Sequence, residues 1–321
     1  MVGTIAQKVT IIVESDSSKL YYTDLSQLLA LRVLSTYRLN SMEIAHDNHQ
    51  LVLKPNSSIS LGGGINYKGI GLSLGVGLRH SSESIRKYGK TKSFDIRGSL
   101  FAKRIGGDAY FQMYKGYYNE NPDDFINWDK DYYPQLPDMQ TISIGASAFY
   151  VFNYKKYSNK AAYSRTQIQM KSAGSPTLGL FFNYDEADSK NGFFPSEFPD
   201  SIGADLNVTA FQYFAVGVSF GYTYTWVISK SFFLNGSVTP GGGYKDIRVK
   251  TTQGIDDYKK TAHMQLALRG SLGYENKYFY AGLTASTLIR NIKTNNYNIN
   301  LATEQFRFFV GKRFNVGKKK K

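Results

Sequence analysis

His80 and Ser82, in the stretch RHSSES, stand two residues apart. That spacing puts both side chains on one face of an extended strand, as a serine nucleophile and its imidazole base require, although no third orienting residue is evident. The stretch NENPDDFINWDKDYYPQLPDM carries Asp123, Asp124, Asp129, Asp131 and Asp138. Carboxylates at that density can bind calcium, but the EF-hand spacing is missing and a solvated loop is the plainer reading. His46 and His49 are too few for a convincing metal site, and His263 is isolated. The glycine-rich stretch LGGGINYKGIGLSLGVGL, residues 61–78, could pass for a phosphate-cradling loop. Such a loop needs a helix after its glycines, whose first amides hold the anion.

The elements that must carry these residues read as strands. Ile70, Leu72, Leu74, Val76 and Leu78 alternate with Gly71, Ser73, Gly75 and Gly77, a period of two, and Leu61, Gly63, Ile65 and Tyr67 alternate before them. Lys68-Gly69 between the two runs predicts a hairpin, so a strand stands where a phosphate loop would need a helix. The longest run has Phe214, Val216, Val218, Phe220, Tyr222, Tyr224, Trp226 and Ile228 on one face and Gly, Ala, Ser and Thr on the other. It exceeds the usual soluble strand of about five or six residues and suits a tilted membrane crossing. Comparable alternation marks 29–37, 94–102, 109–117, 142–152, 178–184, 264–274 and 306–314, and more weakly 278–289.

Short turns are expected near Lys68-Gly69, 105–107, 153–156, 229–230 and 275–277, and long polar connections near 41–56, 81–90, 119–137, 187–210, 248–259 and 291–301. They alternate strictly if residues 161–187 form one unusually long strand. The prediction is a single all-β antiparallel transmembrane barrel of about twelve strands, or fourteen if 42–53 also pairs, with both termini periplasmic. A soluble sandwich or lipocalin-like barrel would alternate too, but its second face would carry charges where this one carries small residues. Tyr67, Tyr117, Tyr118, Tyr150, Phe152, Tyr224, Trp226, Tyr278 and Phe314, near strand ends, are expected to form interfacial girdles.

Composition agrees. Mean hydropathy is −0.35 and there are 25 Tyr, 21 Phe and 30 Gly but no Cys, which excludes disulfides, thiolate metal sites and a cysteine nucleophile. No apolar run is long enough for a helical span. The opening segment lacks the features of a signal peptide, which is presumed removed from a chain bound for the outer membrane of a Gram-negative bacterium. The expected layout is a periplasmic segment over 1–26, the barrel over 27–315 and a basic tail over 316–321.

The segments YSNKAAYSRTQIQMKSAGS (157–175) and KPNSSISLGGGINYKG (54–69) resemble an uncharacterised Bacteroidetes outer-membrane family, domain-of-unknown-function family 4421. Its members show a Pro-Asn, a glycine-rich strand ending Tyr-Lys, and later a Lys-Ser-Ala-Gly-Ser core. The likeness runs from about residue 28 to 314. It implies a barrel in the outer membrane of a Bacteroidetes-type bacterium and transfers no activity.

If the bulky alternate set faces lipid, the lumen receives Arg32, Arg97, Lys103, Arg165, Lys171, Arg269 and Arg307, with Asp95, Gln167, Gln169 and Ser172. Much of the net charge of +14 is thereby placed. Such a lumen binds or conducts anions, or its cations simply fill it and pair across it. The expected role is an accessory or structural barrel in an outer-membrane assembly. The alternatives are a narrow anion-preferring channel carried by Arg97, Arg165, Lys171, Arg269 and Arg307, and, third, a lipid-modifying enzyme at His80. The chain is expected not to be an enzyme, with no catalytic residue, metal or cofactor. Its partners are outer-membrane lipid and lipopolysaccharide, other outer-membrane proteins, and no nucleic acid, since the basic residues follow the strand period and form no single patch.

Overall fold

The computed structural model describes residues 21–316 apart from 47–48, 58, 69, 200–207, 253 and 255. Gly69, the segment 1–20 and the lysines 318–321 lie outside the described residues. Fifteen strands form: β1 (Tyr22–Asp24), β2 (Leu28–His46), β3 (His49–Lys54), β4 (Ser60–Tyr67), β5 (Ile70–Gly77), β6 (Lys92–Phe101), β7 (Ile105–Asn119), β8 (Gln135–Val151), β9 (Gln167–Gln169), β10 (Ala173–Asp188), β11 (Val208–Val227), β12 (Phe232–Thr251), β13 (Asp256–Glu275), β14 (Phe279–Lys293) and β15 (Asn298–Asn315), with a short helix α1 (Ser82–Tyr88). Twelve of them, β2, β4 to β8 and β10 to β15, pair antiparallel in order, and β15 returns to β2 to close the ring. Closure gives each of these twelve strands a partner on both sides, which a sheet in lipid requires.

Both described chain ends lie at one end of the barrel, where Leu28 pairs with Asn315; this end is called proximal. Apart from the long connection from β8 to β10, the proximal turns are tight, with Lys68 at φ 52° in the β4–β5 turn. At the distal end β2 and β3 make a hairpin, with Met42 opposite Leu53. Residues 42–53 therefore do pair, but β3 adds no strand to the ring of twelve. It fills the space above β4, β5 and β6, which are shorter than their neighbours, and reaches β7 through Leu53–Asn119 and Lys54–Tyr118. One strand thus replaces three at the distal end, and because barrel width grows with strand number the wall narrows there.

The expected connections 248–259 and 291–301 are mostly strand. Lys250 pairs with Asp256 and Lys293 with Asn298, so β12 to β15 continue past the apolar belt. Hydrophobic alternation missed them because it inverts. Along β12, Leu234, Val238 and Tyr244 face outward and are exposed, whereas farther on Arg248 and Lys250 are exposed and Ile247 and Val249 are fully buried. Along β2 the same change puts Met42 and Ile44 inside. Bulky-out gives way to apolar-in where the wall leaves lipid for water. Val218, 57% exposed in the middle of β11, is on the lipid side of that line. Val218→Arg is expected to cost about 2–4 kcal/mol of folding stability in lipid vesicles, and Lys250→Ala within about 0.5 kcal/mol. Equal costs in urea titrations would remove the boundary.

The expected girdle is only partly observed. Phe152, Trp226, Tyr278 and Phe314 are exposed near the proximal end. Tyr117 and Tyr118 are buried instead, because a bulge at Gly116 (φ 95°) shifts the register between Lys115 and Tyr117. A Cβ on Gly116 would meet the Lys90 carbonyl at 2.1 Å, so only glycine permits this bulge. Tyr117 then bonds the Thr141 hydroxyl at 2.6 Å, and Tyr118 packs against the rings of Tyr88 and Tyr133.

Candidate functional site

The largest correction concerns residues 161–187, expected as one strand. Only β10, from Ala173, is wall; after β8 the chain turns at 153–156, folds into the lumen, makes one π-helical turn over Lys160–Ser164 and pairs β9 with β1 before returning. The physical reason is composition. From Ala161 to Ser172 the alternate sets are small or polar, and only Ile168 and Met170 are large and apolar, so neither face could be offered to lipid. Enclosed by the wall, Tyr157, Ala161, Ala162, Ser164, Thr166 and Ile168 are buried.

This plug is tied to several strands. Tyr157 shares a 2.8 Å hydrogen bond with Thr223 of β11, Arg165 donates to Ser271 of β13 at 2.6 Å, and Arg313 of β15 donates to the Arg165 carbonyl at 2.7 Å. Tyr163 stacks on Phe101 of β6 at 5.5 Å. Gln167 and Gln169, expected on the lumen wall, are inside the plug, where Gln167 accepts from the Ser158 hydroxyl and Gln169 donates to the carbonyls of Lys156 (2.6 Å) and Lys171 (2.9 Å). The Lys-Ser-Ala-Gly-Ser stretch is the seam by which the plug rejoins the wall. Ser175 accepts from the Asn153 amide at 2.8 Å, and Asn153 donates to the Gly174 carbonyl at 2.7 Å. Pro55-Asn56 plays a similar part outside: Asn56 donates to Ser84 and to the Gly89 carbonyl (2.8 Å) and so fastens α1.

At the distal end the lumen is sealed differently. Inward residues of the wall, among them Met42, Ile44, Tyr213, Ile247, Val249 and Ile299, form one apolar core with Phe125, Phe193 and Phe198 from the loops. Phe125 stacks on Phe198 at 5.4 Å, and Phe193 meets Phe211 edge-on at 6.4 Å.

Between the seals lies a cavity of about 250 Å³, lined by Arg32, Arg97, Arg165, Arg269 and Arg307, by Asp108, and by hydroxyl, amide and aromatic side chains. Arg269 of β13 reaches across the lumen to Asp108 of β7 at 2.8 Å. Above it, Asp95 takes Arg38 at 3.2 Å and Arg97 at 3.4 Å and accepts a hydrogen bond from Gln112 at 2.6 Å. Arg290 of β14 meets Asp185 of β10 at 3.1 Å, and Arg313 meets Glu275 at 3.0 Å. Arg38, Asp108, Asp185, Glu275, Arg290 and Arg313 are lumen residues beyond those expected from the sequence. Their signal was there: each continues the inward parity of its strand, but all except Arg313 sit one residue outside the recognised alternation.

Three expected lumen residues are elsewhere. Lys103 is exposed in the β6–β7 turn, 5.9 Å from the Tyr154 ring, because β6 ends at Phe101. Lys171 and Ser172 are exposed at the proximal rim, where the chain leaves the plug; Ser172 accepts from the Val227 amide at 2.9 Å.

His46 and His49 face each other as register partners in the β2–β3 hairpin. Ser82 opens α1 behind the capping Ser81. Burial pushes the His80 imidazole below its ordinary range, against an opposing backbone hydrogen bond at Thr91. The acidic loop diverges: Asp131 pairs with Arg86 at 2.6 Å, Asp124 accepts from Asn121 at 2.7 Å, and Asp138 accepts from Ser189 at 3.2 Å. Among the described residues no group of three or more His, Asp or Glu is placed to hold a metal ion.

A family model described as a domain of unknown function, DUF4421, matches residues 14–314. Among curated proteins nothing matches the chain. Among solved structures, the outer-membrane protease OmpT from Escherichia coli is similar at 12% identity and a TM-score of 0.43, covering 91% of this chain and 98% of its own. The Pseudomonas putida toluene transporter TodX is similar at 5% and 0.31 (90% and 89% covered). Outer membrane protein OprG from Pseudomonas aeruginosa is similar at 9% and 0.26 (92% and 98%). By its own pairing this chain is a closed antiparallel β-barrel. The expectation that the chain is not an enzyme does not stand, since a protease is among the barrels it resembles. At that identity the likeness is one of fold and assigns no activity.

Proposed function

We propose, for a chain that belongs to the DUF4421 family and receives no assigned activity from it, that it serves as a closed accessory barrel within a larger outer-membrane assembly. In that reading its distal loops face outward and both chain ends face the periplasm, and contacts with lipid, lipopolysaccharide and neighbouring proteins are made by the outer wall and loops. The observation that carries it is the double seal: a hydrogen-bonded plug proximally and an apolar core distally. Among the described residues, a narrowed wall packed with Ile247, Val249, Phe193 and Phe198 gives the distal lumen an apolar lining, where a desolvated ion is costly.

The competing reading is an anion channel. It is favoured only by the arginines of the central cavity, and it requires both seals to move. In planar bilayers the purified barrel is expected to give no conductance steps at any applied voltage, and to co-purify with other outer-membrane proteins in mild detergent. Regular anion-selective steps would overturn the closed-barrel reading.

A further inference from the structure

We propose that the central cavity is a binding site for a small soluble phosphomonoester. The reason is a charge imbalance inside an enclosed space. Asp108, on the cavity wall, is taken by Arg269, and Asp95 is taken by Arg38 and Arg97. Among the described residues, no carboxylate lies within ion-pairing reach of Arg32, Arg165 or Arg307. Their partners are neutral: Arg32 donates to Ser73 at 3.0 Å, Arg165 to the Ala161 carbonyl at 2.8 Å and to Ser271, and Arg307 to Thr36 at 3.3 Å. Among the described residues the Arg32 Nε finds no hydrogen-bond partner, and Arg165 is 2% exposed.

Guanidinium charge held in this way is unfavourable unless an anion completes it. A phosphate ester carries a charge of about −1.5 to −2 at neutral pH and three acceptor oxygens, which suits several guanidinium forks better than a monovalent ion does. The volume of about 250 Å³ exceeds what a bare phosphate group occupies. Tyr163 and Phe309 on the same wall, with serine and threonine hydroxyls, suit a small hydroxylated organic part.

The proximal mouth is charged to match. Lys103 and Arg104 lie over the Tyr154 ring, and Lys156 and Lys171 lie over the Tyr21 ring, all four at the rim beside the plug. Such a rim raises the local concentration of anions next to the plug.

The test uses the full chain in a neutral detergent. Thermal unfolding is followed with inorganic phosphate and with glycerol phosphate, against sodium chloride at matched ionic strength. A saturable rise in Tm is expected in both phosphate arms and not in chloride, because a ligand of the folded state stabilises it by mass action. Glycerol phosphate should bind more tightly than inorganic phosphate, and the pair Arg32→Gln with Arg307→Gln should weaken both at least tenfold. Lys260→Gln, on the distal rim, should change neither. An equal rise in chloride, or binding unchanged in the double variant, overturns the proposal. If the double variant does not fold, equilibrium dialysis of labelled phosphate with the unaltered protein decides: stoichiometric uptake resistant to chloride supports the site, and none overturns it. Either result is independent of whether the barrel conducts.

Discussion

Asp185→Ala is expected to destabilise the folded barrel by about 3–5 kcal/mol, the cost of leaving a buried charge without its partner. Asp185 and Arg290 have side chains only 4% and 3% exposed, and their 3.1 Å contact spans the lumen between β10 and β14. Ser143 donates to the same carboxylate at 2.7 Å, and Arg290 also donates to Tyr110 at 3.2 Å. Without the carboxylate, Arg290 keeps only neutral partners. Adding Arg290→Met should recover most of the loss, because an apolar pair of similar volume replaces a buried ion pair at little cost. Urea unfolding in detergent measures both. A double variant as unstable as the sum of its parts would show that the two side chains act separately.

Phe211→Ala is expected to cost about 3–5 kcal/mol, the range for truncating a buried aromatic. Phe211 belongs to the distal apolar core and is held edge-on by Phe193. Its neighbour Gln212 points the other way, into solvent, and bonds Glu186 at 3.3 Å. Gln212→Ala should stay within about 0.5 kcal/mol. The contrast matters because in the lipid belt of the same strand the large residues are the outward ones. A small effect at Phe211 in unfolding titrations would mean that the distal seal is not a packed core.

The ring of twelve strands was legible because lipid imposes one rule on every crossing: large apolar side chains outside and small or polar ones inside. The run from Phe214 to Ile228 states that rule without a break, and β11 follows it. Where the rule changes, legibility fails. Past Tyr244 the outward side faces water, so the extensions of β12 to β15 look like polar loops. Residues 161–172 alternate at the strand period yet have no large set for lipid, a sign that weighs more than the period itself. The Gly116 bulge reverses the side on which Tyr117 falls, and a glycine among aromatics does not announce this. Of the cavity, Arg32, Arg97, Arg269 and Arg307 could be placed from parity, whereas Arg165 arrives on the plug and Asp108 was missed beside its glycines. Which cation finds which carboxylate depends on pairs up to 161 residues apart in sequence, such as Arg269 with Asp108.

The Arg313–Arg165 hydrogen bond also bears on how the chain can fold. Arg313 is on the last strand, which closes the ring against the first, and it grips a plug that was synthesised well before it. The closing strand and the plug are thus joined directly, so each favours the placement of the other. Contacts of such long sequence separation are slow to form.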